Sequence, residues 1–135
     1  MKVKDISGKA GVTTDVVRYY TRIGLLKPER SESNGYKLYT LSDLVQLRFI
    51  RCAKDLGFTL NEISEILEQA DHDESPCPMV RDTLKRRIGE NRKKLDELLL
   101  QQNRMEKALQ EWDQMPDKLP DGPSVCHLIE SVGGV

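Results

Sequence analysis

Apolar residues recur at helical spacing close to the N-terminus, in two short segments on either side of a glycine. In the first segment, Val3, Ile6 and Ala10 fall on one face, and Gly11 then ends the helix. In the second, Thr13 is a suitable cap, and one face carries Val16, Val17, Tyr20 and Ile23. Two helices joined by a tight turn over about twenty residues predict a helix-turn-helix.

The opposite face of the second predicted helix is polar and basic, and a hairpin follows it. That face carries Thr14, Asp15, Arg18, Tyr19 and Arg22. A helix in the major groove uses arginine and tyrosine for phosphates and base edges, whereas a small packed helix does not need them on its outer side. Asn34-Gly35 is a strong hairpin signal, and it precedes a short strand in which Tyr36 and Leu38 alternate with Lys37 and Tyr39. The hairpin is predicted to be a wing.

Two further helices are predicted after the hairpin. Thr40 begins the third helix and Gly57 ends it, and its inward face is predicted to consist of Leu41, Val45, Phe49, Cys52, Ala53 and Leu56. Cys52 is therefore expected in the core. A capping box at residues 59–62 begins the fourth helix, which is predicted to end near residue 70.

Beyond residue 70, a polar linker leads into a long helix. Residues 71–78 are acidic and interrupted by two prolines. Within residues 79–112, one set of positions recurs at alternating intervals of four and three residues and forms a seam along the helix: Leu84, Ile88, Asn91, Leu95, Leu98, Gln102, Met105, Leu109 and Trp112. This seam predicts a coiled coil about 50 Å long that needs a second chain to cover it. An antiparallel homodimer is favoured because it places Asn91 opposite Gln102 of the partner, although a parallel pair is also tolerable.

The charge distribution supports a DNA-binding N-terminal part. The net charge of the 135 residues is only −1, but residues 1–58 contain eleven Lys or Arg and six Asp or Glu, whereas residues 59–79 contain six acids and no base. No apolar run approaches the roughly 20 residues that span a bilayer, and no signal peptide is recognisable, so a cytoplasmic protein without a membrane partner is expected. Phosphate-loop and zinc-hydrolase motifs are also absent from the sequence, so an enzyme is not expected.

Three motifs in this order resemble the winged helix-turn-helix of the MerR family of bacterial transcription regulators: Arg18-Tyr19-Tyr20, Gly24-Leu25-Leu26 and Gly35-Tyr36-Lys37-Leu38-Tyr39. The resemblance implies a homodimer that binds double-stranded promoter DNA at an overlong spacer and distorts it so that RNA polymerase can use both promoter elements. It places the residues matching Arg18, Tyr19 and the Tyr36-Lys37 wing at the DNA. With the outward residues of the helices, the predicted DNA-binding set is Thr14, Arg18, Tyr19, Arg22, Tyr36, Lys37, Arg51 and Lys54. For Arg51 and Lys54, a merely solvated surface is an open alternative.

Three cysteines, odd in number and far apart, do not indicate a disulfide framework. Cys77 precedes the long helix, and the antiparallel register puts it opposite position 116 of the partner, from which a short loop leads to Cys126 and His127. Ser124 is predicted to cap a last short helix with Cys126 in its first turn. Thiolate with imidazole suits zinc, and thiolates alone suit mercury, lead, cadmium or copper(I). The predicted metal ligands are Cys77, Cys126 and His127.

The family resemblance extends to these thiols. Metal-sensing MerR proteins have a cysteine at the start of the dimer helix and further cysteines in a loop after it. A cysteine matching Cys77 resembles the branch that senses divalent ions, which implies a divalent metal effector, zinc first, with cadmium, lead or mercury as alternatives. The chain departs from the pattern because residues 113–125 contain no cysteine, which leaves the coordination incomplete. The groups that could complete it are His127, Asp113, Asp117, Asp121, His72 or water. A MerR-type regulator of an organic or oxidative signal and an ungated architectural DNA-binding dimer are the alternative functions.

The predicted fold is mainly α, with four parts in chain order. Residues 1–70 form a winged helix-turn-helix DNA-binding domain, and residues 71–78 form a linker. Residues 79–112 form an antiparallel coiled-coil dimerisation helix, and residues 113–135 form an effector loop with a short helix.

Overall fold

The computed structural model of the protein describes residues 1–133 and is mainly helical, as predicted. Its elements are α1 (Val3–Ala10), α2 (Thr14–Arg22), β1 (Glu29–Arg30), β2 (Lys37–Leu38), α3 (Leu41–Asp55), α4 (Leu60–Asp71), α5 (Cys77–Trp112) and α6 (His127–Val132). They form two compact units, Met1–Val80, which we call the head, and Arg81–Val135, which we call the tail. The last two residues of the predicted effector segment lie outside the described residues.

Threonine side chains fix where three of the head helices begin. The Thr13 side-chain oxygen accepts a hydrogen bond from the amide three residues on, at 3.2 Å, and so caps α2. Thr40 and Thr59 begin α3 and α4 in the same way, and Asp43 and Glu62 complete a capping box by accepting from the threonine amides. These starts agree with the sequence prediction because a capping box is a local property of four consecutive residues.

The head has one core, formed where its four helices meet. α1 contacts both α2 and α3, and α3 also contacts α4. The largest fully buried side chains are Ile6, Val17, Leu26, Leu47, Ile50 and Ile63. Complete burial of an aliphatic side chain stabilises a fold by about 1.5–3 kcal/mol. This cluster therefore holds α2 firmly against the scaffold formed by α1 and α3.

The predicted inward face of α3 is wrong at every position except Ala53. The buried residues of α3 are Leu44, Leu47, Ile50 and Ala53. The other predicted members are on the surface, with Leu41 72% and Val45 67% exposed, and Cys52, expected in the core, is exposed as well. α3 carries apolar residues on two opposite faces, so the helical period fits either of them. Packing against α1 and α4 buries the face opposite to the predicted one.

The predicted hairpin is present, and its strands are only two residues long. β1 and β2 pair antiparallel, in the register Glu29–Leu38 and Arg30–Lys37. The predicted alternation of inner and outer side chains is not found, because residues 36–38 are all exposed and only Tyr39 is buried. A two-stranded sheet of this length is too small to bury one of its own faces.

α5 begins at Cys77, two residues before the predicted start, and ends at Trp112 as predicted. The earlier start is possible because a proline such as Pro78 is tolerated in the first turn of a helix. None of the residues of α5 is buried, and five of its seven apolar seam positions are more than half exposed: Ile88, Leu95, Leu98, Met105 and Leu109. The other two, Leu84 and Trp112, are partly exposed. Among the helices in residues 1–133, none combines the length and the apolar composition needed to cross a membrane.

α6 begins later than predicted. Cys126 is its N-cap, with φ −146° and ψ 114°, so it does not belong to the first turn, and Ser124 does not cap the helix. Instead, the Ser124 hydroxyl donates to Glu130 Oε1 over 2.6 Å, and the Val125 amide donates to Glu130 Oε2 over 2.9 Å. A carboxylate satisfies two donors at the start of a helix, where a hydroxyl cap would satisfy one.

Candidate nucleic-acid interface and metal ligands

The outer surface of α2 carries a linked row of polar, basic and aromatic side chains. Arg18 Nη1 lies 3.2 Å from Thr14 Oγ1 and 3.4 Å from Asp15 Oδ1. The Arg22 guanidinium lies over the Tyr19 ring, 5.3 Å from its centroid. These contacts hold both guanidinium groups along the outside of the helix. The four predicted contact residues of α2 thus belong to one outer surface.

Tyr39 fixes the wing to the N-terminal segment and to α2. Its amide donates to the Met1 carbonyl over 2.7 Å, and its hydroxyl lies 2.8 Å from the Thr21 hydroxyl on α2. Tyr20 is packed on the same inner side, where burial raises its pKa and the neighbouring Tyr19 adds a smaller effect in the same direction. Sequence reasoning missed the role of Tyr39, because a buried and an exposed tyrosine give the same strand pattern.

The tip of the wing is ordered by Asn34, whose side-chain oxygen accepts a hydrogen bond from the Tyr36 amide at 3.1 Å. Gly35 between them has φ +72°, a conformation that favours glycine. The turn leaves Tyr36 61% exposed, with the Lys2 ammonium group 5.4 Å from the centroid of its ring. Tyr36 and Lys37 therefore project from the head, as their predicted contact with DNA requires.

A basic cavity of about 480 Å³ lies between the N-terminal segment, α2 and the wing. Its lining includes no acidic residue and five cations: Lys2, Lys4, Arg18, Arg30 and Lys37. Such a surface suits the phosphate backbone of DNA. Lys2, Lys4 and Arg30 are missing from the predicted DNA-binding set. The excess of basic residues in positions 1–58 predicts a basic surface, but it does not show that these three residues line it.

Arg51 has a partner within the head. Its Nη1 donates to the Ala10 carbonyl over 2.7 Å, and Arg48 Nη2 donates to the preceding carbonyl over 3.3 Å. These carbonyls end α1, where the helix itself provides no donors for them. The guanidinium passes so close to Gly11 that a Cβ atom there would collide with Nη1. Contact with DNA stays a prediction for Arg51 and for Lys54, which is exposed near the end of α3.

The predicted metal ligands lie at the starts of the last two helices. Cys77 is exposed at the first position of α5, and its amide donates to Ser75 Oγ over 3.4 Å. Cys126 is the half-buried N-cap of α6, and His127 follows it. Cys77 belongs to the head, whereas Cys126 and His127 belong to the tail. Within residues 1–133 of one chain, no three His, Cys, Asp or Glu side chains are grouped so that they could hold a metal ion.

His127 is oriented by the backbone of its own loop. Its Nε2 lies 3.1 Å from the Pro116 carbonyl oxygen. Because a carbonyl only accepts, Nε2 donates its hydrogen, and the lone pair of the neutral ring is left on Nδ1. Histidines that bind metals commonly donate their second nitrogen to a carbonyl or carboxylate in this way. An imidazole nitrogen and thiolates are the types of donor that borderline and soft divalent ions prefer.

Two other groups in the tail escaped the sequence prediction. The hydrogen bond from Ser124, followed by that from the Val125 amide, lowers the pKa of Glu130 from its ordinary value of 4.5. At the end of α5, Trp112 Nε1 is buried and has no acceptor within the described residues. Glu130 holds the backbone on the N-terminal side of Cys126, so it belongs to the surroundings of the predicted ligands.

Comparison with known proteins points to one family. A family model described as "MerR HTH family regulatory protein" matches residues 1–70, and one described as "MerR, DNA binding" matches residues 44–112. The chain is 32% identical over 134 residues to the mercuric resistance operon regulatory protein of Bacillus cereus, covering 97% of this chain and 96% of that protein. It is also 32% identical over 132 residues to the HTH-type transcriptional regulator ZntR of Escherichia coli K12, with 97% and 91% covered.

A solved structure extends the similarity to the whole fold. The transcription regulator PbrR691 from Ralstonia metallidurans, in complex with lead(II), superimposes with a TM-score of 0.75. The two sequences are 28% identical, and the match covers 98% of each chain. The winged helix-turn-helix and the long helix are therefore part of an architecture shared with these proteins.

Proposed function

The chain belongs to the MerR family of helix-turn-helix transcription regulators, and we propose that it is a homodimeric member that responds to a divalent metal ion. The promoter that it controls is proposed to serve metal resistance or efflux. One observation carries this proposal: thiols stand at the first position of α5 and at the N-cap of α6, in a chain similar to regulators whose names or structures include mercury and lead.

DNA binding in this proposal uses α2, the wing and the basic cavity between them. Arg18, Tyr19 and Arg22, with Thr14, read base edges and phosphates, while Tyr36 and Lys37 bind the flanking backbone. The ordered positions of these side chains in the head support this assignment, since little conformational freedom is left to lose on binding. Arg51 and Lys54 are proposed as outer phosphate contacts, and for Arg51 this role is additional to its contact with α1.

The dimer is proposed to be an antiparallel coiled coil of two α5 helices. Its support is the exposed apolar seam, which is uncovered in the single chain. Pairing about a two-fold axis near residue 96 puts Leu95 opposite Leu98 of the partner subunit and Asn91 opposite Gln102 of the partner subunit. The two amides then hydrogen-bond each other, so that no buried polar group is left without a partner.

The metal ion is proposed to bind between subunits, held by Cys77 of one chain and by Cys126 and His127 of the other. The coiled-coil register supports this arrangement because it brings position 77 opposite position 116 of the partner. Zinc is the first candidate, and cadmium, lead or mercury are alternatives, because two thiolates and an imidazole suit all of these ions. The bound ion would supply a fixed link between the head of one subunit and the tail of its partner.

The regulatory step is proposed to be a change in DNA shape. In the family mechanism that the sequence resembles, the effector-bound dimer distorts an overlong promoter spacer so that RNA polymerase engages both promoter elements. A link between the head of one subunit and the partner's tail is suited to this, because it can change the spacing of two heads bound to one DNA site.

Metal titration of the reduced protein tests the proposal. We expect competition titrations with a chromophoric chelator to give two tightly bound zinc ions per dimer, with a change in Trp112 fluorescence. Cys77→Ser and Cys126→Ser should each abolish tight binding, whereas the matched control Cys52→Ser should leave it unchanged, because Cys52 lies on α3. Equal metal affinity in all four proteins would remove the metal site from the proposal.

An oxidative signal is the second candidate function. Cys77 is an exposed thiol at the start of a helix, and exposed thiols are also redox handles. In that case mild oxidation should join the two subunits through Cys77 and Cys126 and change promoter affinity, while zinc should change neither.

A further inference from the structure

The charges of α5 are divided unequally between its two halves. Residues 81–94 contain seven Lys or Arg and two Asp or Glu, a net charge of +5, whereas residues 95–112 contain two Lys or Arg and four Asp or Glu, a net charge of −2. A parallel pair of helices would place the two basic halves side by side. An antiparallel pair places each basic half beside the acidic half of the other chain, so a second copy complements the first in charge only in this direction.

The positions that flank the seam show where individual charges meet. The antiparallel register places position 84 opposite position 109 of the partner subunit, and position 88 opposite position 105. Lys85 and Glu106 of the partner subunit both lie between these two layers. Each directly follows the seam position that ends a three-residue step, and in an antiparallel coil these equivalent positions share one edge. Both side chains are exposed in the single chain and are therefore available to each other.

Glu106 also orients the polar seam residue Gln102. Gln102 Nε2 donates to Glu106 Oε1 over 2.9 Å within the same helix. Because a carboxylate only accepts, the amide nitrogen faces Glu106, and the amide oxygen is left to accept from Asn91 of the partner subunit. Lys85 of the partner subunit then balances the carboxylate charge. The register thus joins four side chains in one polar row, two from each chain.

The next pair along this edge consists of Leu99 and Arg92 of the partner subunit. Leu99 lies outside the seam and is 61% exposed in the single chain. The aliphatic part of an arginine side chain can cover such a leucine while the guanidinium stays in water. In a parallel coil, flanking positions five residues apart would face each other, and Arg92 would meet Arg87 of the partner subunit. The antiparallel pairing avoids this contact between two cations.

We propose that Lys85 and Glu106 of the partner subunit form an ion pair that sets the direction and register of the dimer. The inference rests on the antiparallel dimer of the proposed function, and it adds the residues that select this pairing over others. The two-fold axis repeats the pair on both sides of the centre. An exposed ion pair adds little stability, so its main effect is to exclude pairings that join like charges.

Charge reversal tests the pair. Lys85→Glu and Glu106→Lys each turn two attractions into two repulsions, and we expect each to weaken the homodimer about ten-fold at low ionic strength. Lys93→Glu is the matched control, because it makes the same charge change in the same half of α5 but away from the seam. It should weaken the dimer much less. Sedimentation equilibrium measures the association of all three variants and of the wild-type protein.

A mixture of the two variants identifies the partner of each charge. When a Lys85→Glu chain pairs with a Glu106→Lys chain, both edges of the coil again join a lysine to a glutamate. We expect mixed dimers to predominate over both homodimers and to associate as tightly as the wild-type protein. Native mass spectrometry with two tags of different mass counts the three dimers. A mixture of Lys93→Glu and Glu97→Lys chains is the control and should pair at random.

The outcomes separate the ion pair from the dimer itself. Random pairing of the charge-reversed chains, while the wild-type protein sediments as a dimer, would overturn the ion pair and leave dimerisation intact. A wild-type protein that sediments as a monomer would overturn both. Predominance of the mixed dimer also shows that both variant chains are folded, because only folded helices can pair in this way.

Discussion

Arg18, Tyr19 and Arg22 point outward because two neighbours fix the rotation and the start of α2. Val17 is fully buried and sets which face of the helix meets the core. Thr13 caps the helix and sets where it begins. If these side chains bind DNA as proposed, they are already ordered before binding, so that little conformational entropy is lost when the contacts form.

Removal of these side chains should separate base reading from phosphate binding. We expect Arg18→Ala and Tyr19→Ala each to weaken operator binding by about 1–3 kcal/mol while affecting unrelated DNA much less. Lys37→Ala should weaken binding to all DNA and reduce the slope of affinity against salt by about one unit. Fluorescence anisotropy on operator and scrambled duplexes at several salt concentrations measures both effects, with Lys118→Ala in the tail as the control. Unchanged affinity in all three variants would show that α2 does not read the DNA.

Glu130 should act on metal binding through the backbone that holds Cys126. Hydrogen bonds from Ser124 and the Val125 amide lower its pKa from 4.5, so its contribution to the loop is complete above that pH and is lost as the pH falls through the lowered value. Glu130→Gln removes the charge at all pH values. We expect it to weaken zinc binding at pH 7 by about 10–100-fold, the usual effect of a group that orients a ligand.

Chelator competition measures this change, and the pH dependence of the Val125 amide signal in NMR follows the loop directly. Glu97→Gln, a change on the outer surface of α5, is the control and should leave the affinity unchanged. If Glu130→Gln binds zinc as tightly as the control, Cys126 does not depend on this turn.

The sequence predicts residues well where the determinant is local. The threonine caps and the outward residues of α2 depend on a few neighbours in the chain, and they are found as predicted. Tyr39 and Glu130 depend on partners that folding brings to them, namely Met1 and Thr21 for the tyrosine and the Ser124 turn for the glutamate. No pattern along the chain distinguishes these residues from exposed ones.

The turn between α1 and α2 depends on a glycine in a left-handed backbone conformation that most side chains avoid. Gly11 has φ +70°, and a side chain there would also displace the Arg51 guanidinium from the end of α1. We expect Gly11→Ala to destabilise the protein by about 1–2 kcal/mol from the backbone conformation alone. Gly8→Ala is the matched control within α1, where nothing lies near the added methyl group and the change should stabilise by about 0.5–1 kcal/mol. Urea unfolding at a fixed protein concentration should give opposite signs, and equal effects would contradict this account.

α3 shows why a helical element can be predicted correctly and its orientation wrongly. Its start, end and apolar period all agree with the sequence, yet Leu41 and Val45 are exposed while Leu44 and Leu47 are buried. Two apolar faces satisfy the same period, and the head core can take only one of them. The remaining face, which includes Leu41 and Val45, therefore stays on the surface of the head.

The polar positions of the α5 seam should fix its register. We expect Asn91→Leu/Gln102→Leu to strengthen the dimer, because two apolar side chains replace an amide pair, while allowing shifted pairings. Sedimentation equilibrium measures the association. Single thiols in a cysteine-free background test the pairing: Asn91→Cys mixed with Gln102→Cys should crosslink readily, and Asn91→Cys alone should not. Efficient crosslinking of Asn91→Cys to its own copy would establish a parallel coil.

For the whole molecule, the division into head and tail determines how a signal can act. One chain holds Cys77 in the head and Cys126 and His127 in the tail, and the described part of a single chain forms no metal site. If two chains share each site, binding of a metal ion constrains the position of one head relative to the other. A DNA site with one half bound by each head then responds to the metal ion, and no change inside α2 is needed.

Mixed dimers provide the decisive test of this sharing. A Cys77→Ser subunit paired with a Cys126→Ser subunit contains one site with both thiols and one site with neither, provided that each site combines Cys77 of one chain with Cys126 of the other. We expect the mixed dimer, purified through two different tags, to bind one zinc ion tightly, whereas each homodimeric variant binds none. Binding should release protons and weaken at low pH, because thiol ligands lose their protons to the solvent. If the mixed dimer binds no metal while the wild-type dimer binds two ions, both thiols of each site come from one chain, and the heads are not linked by the metal.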